Sequence, residues 1–317
     1  MPRDGTEIVA EMPRRKRAGK EANPRRPTPA PEPIVDDVGG QSVAETQAHA
    51  AADIVNDLVA LQHKRRFCIV SQSRIDRSIE SLIASTLGFR IDADEKDRKK
   101  VFAQAKALRL DVEKGAGSTA STTLAPLILT SAATRAQWDT LRAEAEKEMR
   151  RLATQLPVYG FAKGIKGFGD LGLAVICAEA AIPLGDYRTV SGLWKRMGLA
   201  VINGERQRRK TDRAAAAEHG YSPMRRAEVW SICSDSMFRH QWRAATDEQA
   251  GGPKGPYGEV YARRRLRTDP RIEATADLPA GDPAKWTKGR CHNDARRIMT
   301  KELLKDLWVE WRKASAE

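Results

Sequence analysis

Residues 156–210 read LPVYGFAKGIKGFGDLGLAVICAEAAIPLGDYRTVSGLWKRMGLAVINGERQRRK, and the fold turns on how this run is parsed. At its centre Gly164-Ile165-Lys166-Gly167-Phe168-Gly169 is a short turn in which glycines bracket one apolar residue. Trp138, Leu141, Ala145, Met149 and Leu152 precede it at helical spacing, and Leu171, Ala174, Val175 and Ala178 repeat that spacing after it. Two helices joined by a tight glycine hairpin make a helix-hairpin-helix, and the chain is predicted to be all-α.

The residue types of the turn carry a chemical expectation. Glycine reaches positive φ without strain and lets a ligand approach the backbone closely. The turn then offers bare N–H groups at a helix start, where the dipole already favours an anion. A nucleic-acid phosphate fits there, held by the backbone of Gly167 and Gly169 with Lys163 and Lys166 beside it. Phe168 is predicted to point inward and pin the hairpin. The plainer alternative is a glycine turn between two packed helices that binds nothing.

The run from Ile165 to Arg209 resembles the C-terminal domain of the bridge-RNA-guided insertion-sequence transposases. Those proteins join an N-terminal RuvC-like DEDD nuclease domain to a C-terminal serine recombinase-like domain. The resemblance is carried by Gly167-Phe168-Gly169, by Gly185-Asp186-Tyr187-Arg188 and by Leu193-Trp194-Lys195-Arg196-Met197-Gly198-Leu199. Gly220-Tyr221-Ser222-Pro223, with Arg225 and Arg226, is similar to a later segment of that family. It implies DNA engagement in a mobile-element or phage setting. Where the family carries its catalytic serine, this chain reads Asn203-Gly204. An amide has no hydroxyl to attack a phosphodiester, so no catalytic residue is assigned. Ser191 lies nearby in a cap-like position before a short helix.

A formal net charge of +13 over 317 residues favours a polyanionic partner. The four cysteines, Cys68, Cys177, Cys233 and Cys291, are widely spaced and indicate neither a disulfide framework nor a zinc site. Cys177 and Cys233 fall among apolar helix positions, as buried free thiols do. Cys291-His292 lacks partners at metal-ligand spacing. No metal or cofactor is indicated. No apolar run is long enough to span a membrane and no signal-peptide pattern opens the chain, so a cytoplasmic location is the default expectation.

Residues 1–40 are Pro- and Arg-rich without apolar periodicity, and are expected to form a disordered basic arm able to track phosphates. Order is expected from Ser42, which has capping-box spacing to Glu45. Ala51, Ile54, Leu58 and Leu61 then mark one helix, and Ile75, Ile79, Leu82 and Ile83 a second ending at Gly88. Asp92 or Asp94 caps a third, through Val101, Ala105, Leu108 and Val112. The Ser/Thr-rich run to Thr134 reads as a loop, and Thr134 with Gln137 as the cap of the helix entering the hairpin. Region 41–134 is thus a set of helical hairpins suited to spacing or self-association. An RNase-H-like nuclease needs strands bearing metal-binding acids. Only Phe67-Cys68-Ile69-Val70 passes for a strand, without an acid, and the cluster Asp92, Asp94, Glu95 and Asp97 suits a helix start.

Beyond the hairpin, Thr189 or Ser191 caps a short helix to Met197. Arg206, Arg208, Arg209, Lys210 and Arg213 suit backbone phosphates or a merely solvated face. Ser222-Pro223 opens a helix striped by Val229, Trp230, Cys233 and Met237, with Arg225 and Arg226 near its start. After a loop at 251–256, Tyr257, Val260 and Tyr261 mark a helix that continues into Arg263, Arg264, Arg265 and Arg267. The tyrosines suit base stacking or anchoring of that helix. A last helix runs from about Gly289 to Ala314. Regions 135–250 and 251–317 therefore read as the helix-hairpin-helix domain and a C-terminal extension. The leading expectation is DNA binding, with Lys163, Lys166, Gly167, Gly169, Arg206, Arg208, Arg209, Lys210, Arg225 and Arg226 on the phosphates. A strand-transfer enzyme, an RNA-binding protein and a basic adaptor remain open alternatives.

Overall fold

The computed structural model describes residues 43–115, 123–246 and 249–316. The basic arm at 1–40 and the capping box at Ser42 lie outside the described residues. The fold is all-α, with two two-stranded ribbons as its only sheets among these residues.

Helix α1 (Val43–Thr86) is a single element of 44 residues, where two helices were expected. At 1.5 Å per residue it is about 66 Å long. The apolar stripe does lapse in its middle, but the buried face does not. Gln62, Arg65 and Gln72 continue it at helical spacing, all nearly without exposure. Each meets a polar partner: Gln62 donates to Glu179 at 2.8 Å, Arg65 to Glu146 at 2.9 Å, and Gln72 to Asp139. Buried polar groups that are paired in this way cost little, so the helix runs through. Phe67-Cys68-Ile69-Val70 is therefore helical rather than extended, with Cys68 buried and Phe67 set edge-on to Trp138.

Helix α2 (Glu95–Glu113) is capped by Asp94, whose side chain accepts from the Lys96 amide. The acids around it act as helix-start and ion-pair groups: Glu95 pairs with Lys99 and Asp92 with Arg90. Helix α3 (Ala125–Ala153) starts well before the expected cap at Thr134. Pro126 in its first turn marks the true start. The Thr134 and Thr130 hydroxyls bond back to the carbonyls of Thr130 and Pro126, so the capping-box spacing was fortuitous. Helices α1, α2 and α3 pack at one end around Ile79, Ile83, Ala84, Ala105, Val112 and Ile128.

The larger core forms at the other end of α1 and α3. There Ala51, Val55, Leu58, Met149 and Leu152 meet the helices of the second half. The chain turns after α3 into α4 (Tyr159–Lys163) and α5 (Gly169–Ala180). Every α5 residue from Gly172 to Ala180 is buried, as befits a helix apolar on all sides. A 3₁₀ turn (Leu184–Asp186), α6 (Val190–Arg196), the ribbon β1 (Val201–Ile202) and β2 (Glu205–Arg206), and α7 (Arg213–His219) follow. Helix α8 (Pro223–Val229) runs through a π-helical turn at Trp230–Ser236 into α9 (Met237–Gln241). Part of the expected 251–256 loop is a strand, as β3 (Trp242–Arg243) pairs with β4 (Gly252–Pro253). Then come α10 (Pro256–Thr268), α11 (Pro270–Ala274) and α12 (Lys288–Ala314). Regions 41–134, 135–250 and 251–317 all contribute to the larger core, α12 through Ala295, Met299, Leu303, Leu307 and Trp311.

Candidate nucleic-acid interface

The glycine turn sits between α4 and α5, so the first helix of the hairpin is the five-residue α4 and not the long α3. Ile165 and Phe168 are buried and anchor the turn, as the sequence predicted for Phe168. Gly167 (φ +84°) and Gly169 (φ +67°) both occupy the left-handed region. Their surroundings differ. A Cβ on Gly167 would meet the His240 Cβ and ring at 2.7 Å, whereas nothing lies within 4 Å of one on Gly169. The first glycine therefore admits a packing neighbour from α9, and Ser236 and Gln241 donate to the carbonyls of Gly167 and Lys166. The second leaves its face open.

Helix α5 has no side-chain cap on its first-turn amides. Lys163 and Lys166 are exposed beside that end, and among the described residues neither forms an ion pair. Asp170, in the first turn, offsets part of this positive potential. An uncapped helix start with two free ammonium groups is chemically suited to an anion.

The second basic group follows β1. Asn203 (φ 51°) and Gly204 (φ 79°) form the two-residue turn of the β1–β2 ribbon, which needs positive φ at both positions. The Asn-Gly pair thus has a structural reason for standing where the resemblance implies a serine. Gln207 turns inward, accepting from the Ala200 amide and donating to the carbonyls of Lys195 and His219. Arg206 and Arg208, on either side of it, are exposed. Arg208 and Lys210 share Glu205 at 3.2 and 3.6 Å, and Arg209 is exposed without an ion pair among the described residues.

Arg225 and Arg226 part company although adjacent. Arg225 turns toward Glu179 (3.5 Å), a nearly unexposed α5 carboxylate that also takes Arg66 at 2.5 Å and Gln62. Burial, and next the positive Arg196, lower the Arg225 pKa. Arg226 lies over the Trp230 ring at 4.8 Å and faces a cavity of about 450 Å³. Arg206 and Arg297 line the same cavity. Beside it Asp294, with no exposed surface, receives Arg206 from β2 and Arg264 from α10. Sequence reading missed the pairing of Asp294. Its one signal was a lone acid within Arg290-Cys291-His292-Asn293-Asp294-Ala295-Arg296-Arg297.

The other candidates resolve into packing roles. Tyr257 and Tyr261 are buried, the first donating to Asp306 and the second hydrogen-bonded to His292 and Arg265, so they anchor α10. Cys291 is buried against the Thr268 carbonyl, and Cys177 and Cys233 are buried free thiols whose pKa burial raises. Thr189 caps α6 and Ser191 is an exposed residue within its first turn. Ser222 caps α8 by accepting from the Arg225 amide at 3.3 Å. Neither serine lines the cavity that Arg206 shares. Among the described residues, no helix is long and apolar enough to cross a membrane. Comparison with family models, curated proteins and solved structures finds no match.

Proposed function

We propose that this chain binds nucleic acid, duplex DNA foremost, through its phosphate backbone, with the Gly164–Gly169 hairpin as the anchor. This reading is supported by the uncapped start of α5, open at Gly169 and flanked by two lysines that form no ion pair among the described residues. The net charge of +13 supports a polyanionic partner. Arg208, Arg209 and Lys210 extend the footprint across the surface after β2, while Arg225 contributes to the fold beneath it. Contacts of this kind position a protein on a duplex without reading its sequence.

The likeness to the C-terminal domain of the bridge-RNA-guided transposases supports a mobile-element setting. Binding without nucleophilic chemistry is favoured by Asn203 in its ribbon turn and by the capping role of Ser222. The test is a titration of duplex DNA, single-stranded DNA and structured RNA at two salt concentrations, with strand cleavage followed in the same samples. Salt-sensitive binding that prefers duplex DNA, with strands left intact, is the expected result. Preference for RNA, or no binding, overturns the reading, and cleavage overturns its non-catalytic part.

A further inference from the structure

Two clusters of arginines form around buried carboxylates, and they differ in how their charge is compensated. Around Glu179 most guanidiniums have a carboxylate within 4 Å: Arg66 and Arg225 take Glu179, Arg65 takes Glu146 and Glu228, and Arg142 and Arg150 take Glu146, while Arg196 donates to the Glu179 carbonyl. That is an internal ion network and wants no ligand.

The cavity beside Trp230 is different. Arg206, Arg226 and Arg297 line it, and beside it the carboxylate of Asp294 is taken by Arg206 and Arg264, one on each oxygen. Among the described residues, Arg226 and Arg297 have no carboxylate partner. Arg297 donates once, to the Leu199 carbonyl at 3.1 Å, while its Nε is buried and unbonded. Arg226 makes no side-chain hydrogen bond among the described residues, and its Nη1 is buried and unbonded. Buried charged donors without acceptors are costly, and a native site retains them where something else supplies the acceptor. Burial, with Arg206 as the largest neighbouring charge, pushes the Arg297 pKa down to about 10. The surplus of positive charge is thus felt within the protein itself.

The shape narrows the ligand. Both Arg226 and Arg296 lie over the Trp230 ring, at 4.8 and 4.5 Å, so the indole holds guanidinium planes in place rather than offering a free stacking face. The π-helical turn makes this possible, because the Ser234 carbonyl within it accepts from Arg296 at 2.9 Å. Of that stacked pair Arg296 takes Asp235 and only Arg226 lines the cavity, where its fork and that of Arg297, neither with a carboxylate among the described residues, suit the oxygens of a phosphate dianion. At about 450 Å³ the space exceeds a bare phosphate and falls in the range of small-molecule sites. Tyr221, Pro223 and Ala227 supply apolar wall and Asn293 an amide.

We infer that the cavity between Arg206, Arg226 and Arg297 binds a nucleotide through its phosphomonoester, either free or at the end of a nucleic-acid strand. The site does not depend on the hairpin: Lys166 lies near Asp306 on α12, and the helix rises about 18 Å between Asp294 and Asp306.

The experiment uses the full chain and calorimetric titration with three probes. These are inorganic phosphate, a nucleoside 5′-monophosphate, and one DNA duplex with either phosphorylated or hydroxyl 5′ ends. Binding of the monophosphate more tightly than phosphate, lowered about tenfold or more by Arg226→Gln and by Arg297→Gln, is expected. Arg226→Lys, which keeps the charge and loses the fork, should fall between, and melting curves of each variant establish that it is folded. A preference of the duplex for phosphorylated ends that the same variants abolish assigns the strand end as the source. Monophosphate binding without that preference assigns the free nucleotide. Lys166→Glu should leave monophosphate affinity unchanged even where it weakens duplex binding. Absence of both monophosphate binding and end preference, or affinities that folded Arg226 and Arg297 variants retain, overturns the inference.

Discussion

Arg206 on the β2 ribbon reaches Asp294 near the start of α12, a carboxylate with no exposed surface. The two lie 88 positions apart, and Arg264 from α10 takes the other oxygen of the same carboxylate. One acid thus ties three elements together while the neighbouring arginines keep a net positive charge.

Asp294→Asn should therefore destabilise the fold by about 1–3 kcal/mol, because it weakens two charge-assisted hydrogen bonds to a buried carboxylate whose partners keep some contact with solvent. Arg206→Ala should cost much less, since the Arg206 side chain is 47% exposed and Arg264 remains on the carboxylate. Denaturant unfolding of the two variants measures the difference. Equal costs would place the stabilisation in Arg206 itself.

The two left-handed glycines of the hairpin should respond differently to alanine. At Gly169 only the backbone strain of positive φ applies, about 1–2 kcal/mol. At Gly167 the same strain adds to a clash with His240. Melting temperatures should rank wild type above Gly169→Ala above Gly167→Ala. The double variant Gly167→Ala/His240→Gly, set against His240→Gly alone, should recover the steric part, because the His240 Cβ itself stands in the way. Failure of that rescue would mean that His240 does not set the requirement.

His292 gives the protein a pH dependence of known sign. Burial first, then Arg296 and Arg265, lower its pKa below the usual 6.5. Arg265 donates to the Tyr261 oxygen, and the same hydroxyl is hydrogen-bonded to His292 Nδ1 at 2.8 Å, an arrangement compatible with a neutral ring that accepts the tyrosine proton. Between the lowered folded value and 6.5 the unfolded chain binds more protons, so this contribution is complete above 6.5 and is lost as pH falls through the folded pKa. His292→Gln should lose less stability than wild type between pH 7 and pH 5. An identical loss in both proteins would contradict the assignment.

Sequence periodicity made most of the helices legible, including the buried stripe of α12 and the caps at Asp94 and Ser222. It failed where polar residues did the work of apolar ones. The buried face of α1 passes through Gln62, Arg65 and Gln72, and their partners are on α3, α5 and α8, out of reach of any local pattern. The false cap at Thr134 has a related cause, because a threonine hydroxyl satisfies a carbonyl one turn back as readily as it caps a helix. At the candidate interface the hairpin and its lysines were visible as residue types. The divergence of Arg225 from Arg226 was not, since it depends on Glu179 lying behind one and Trp230 beneath the other.

The hairpin is proposed to hold a nucleic-acid phosphate. The most direct measurement is the salt dependence of duplex DNA binding for wild type and for Lys163→Glu/Lys166→Glu. Both residues are exposed and unpaired among the described residues, so the variant should melt as wild type does. If the account is right, affinity falls and the slope of log K against log salt flattens by about two contacts' worth, roughly 1.8. A folded variant with unchanged affinity and slope would contradict it.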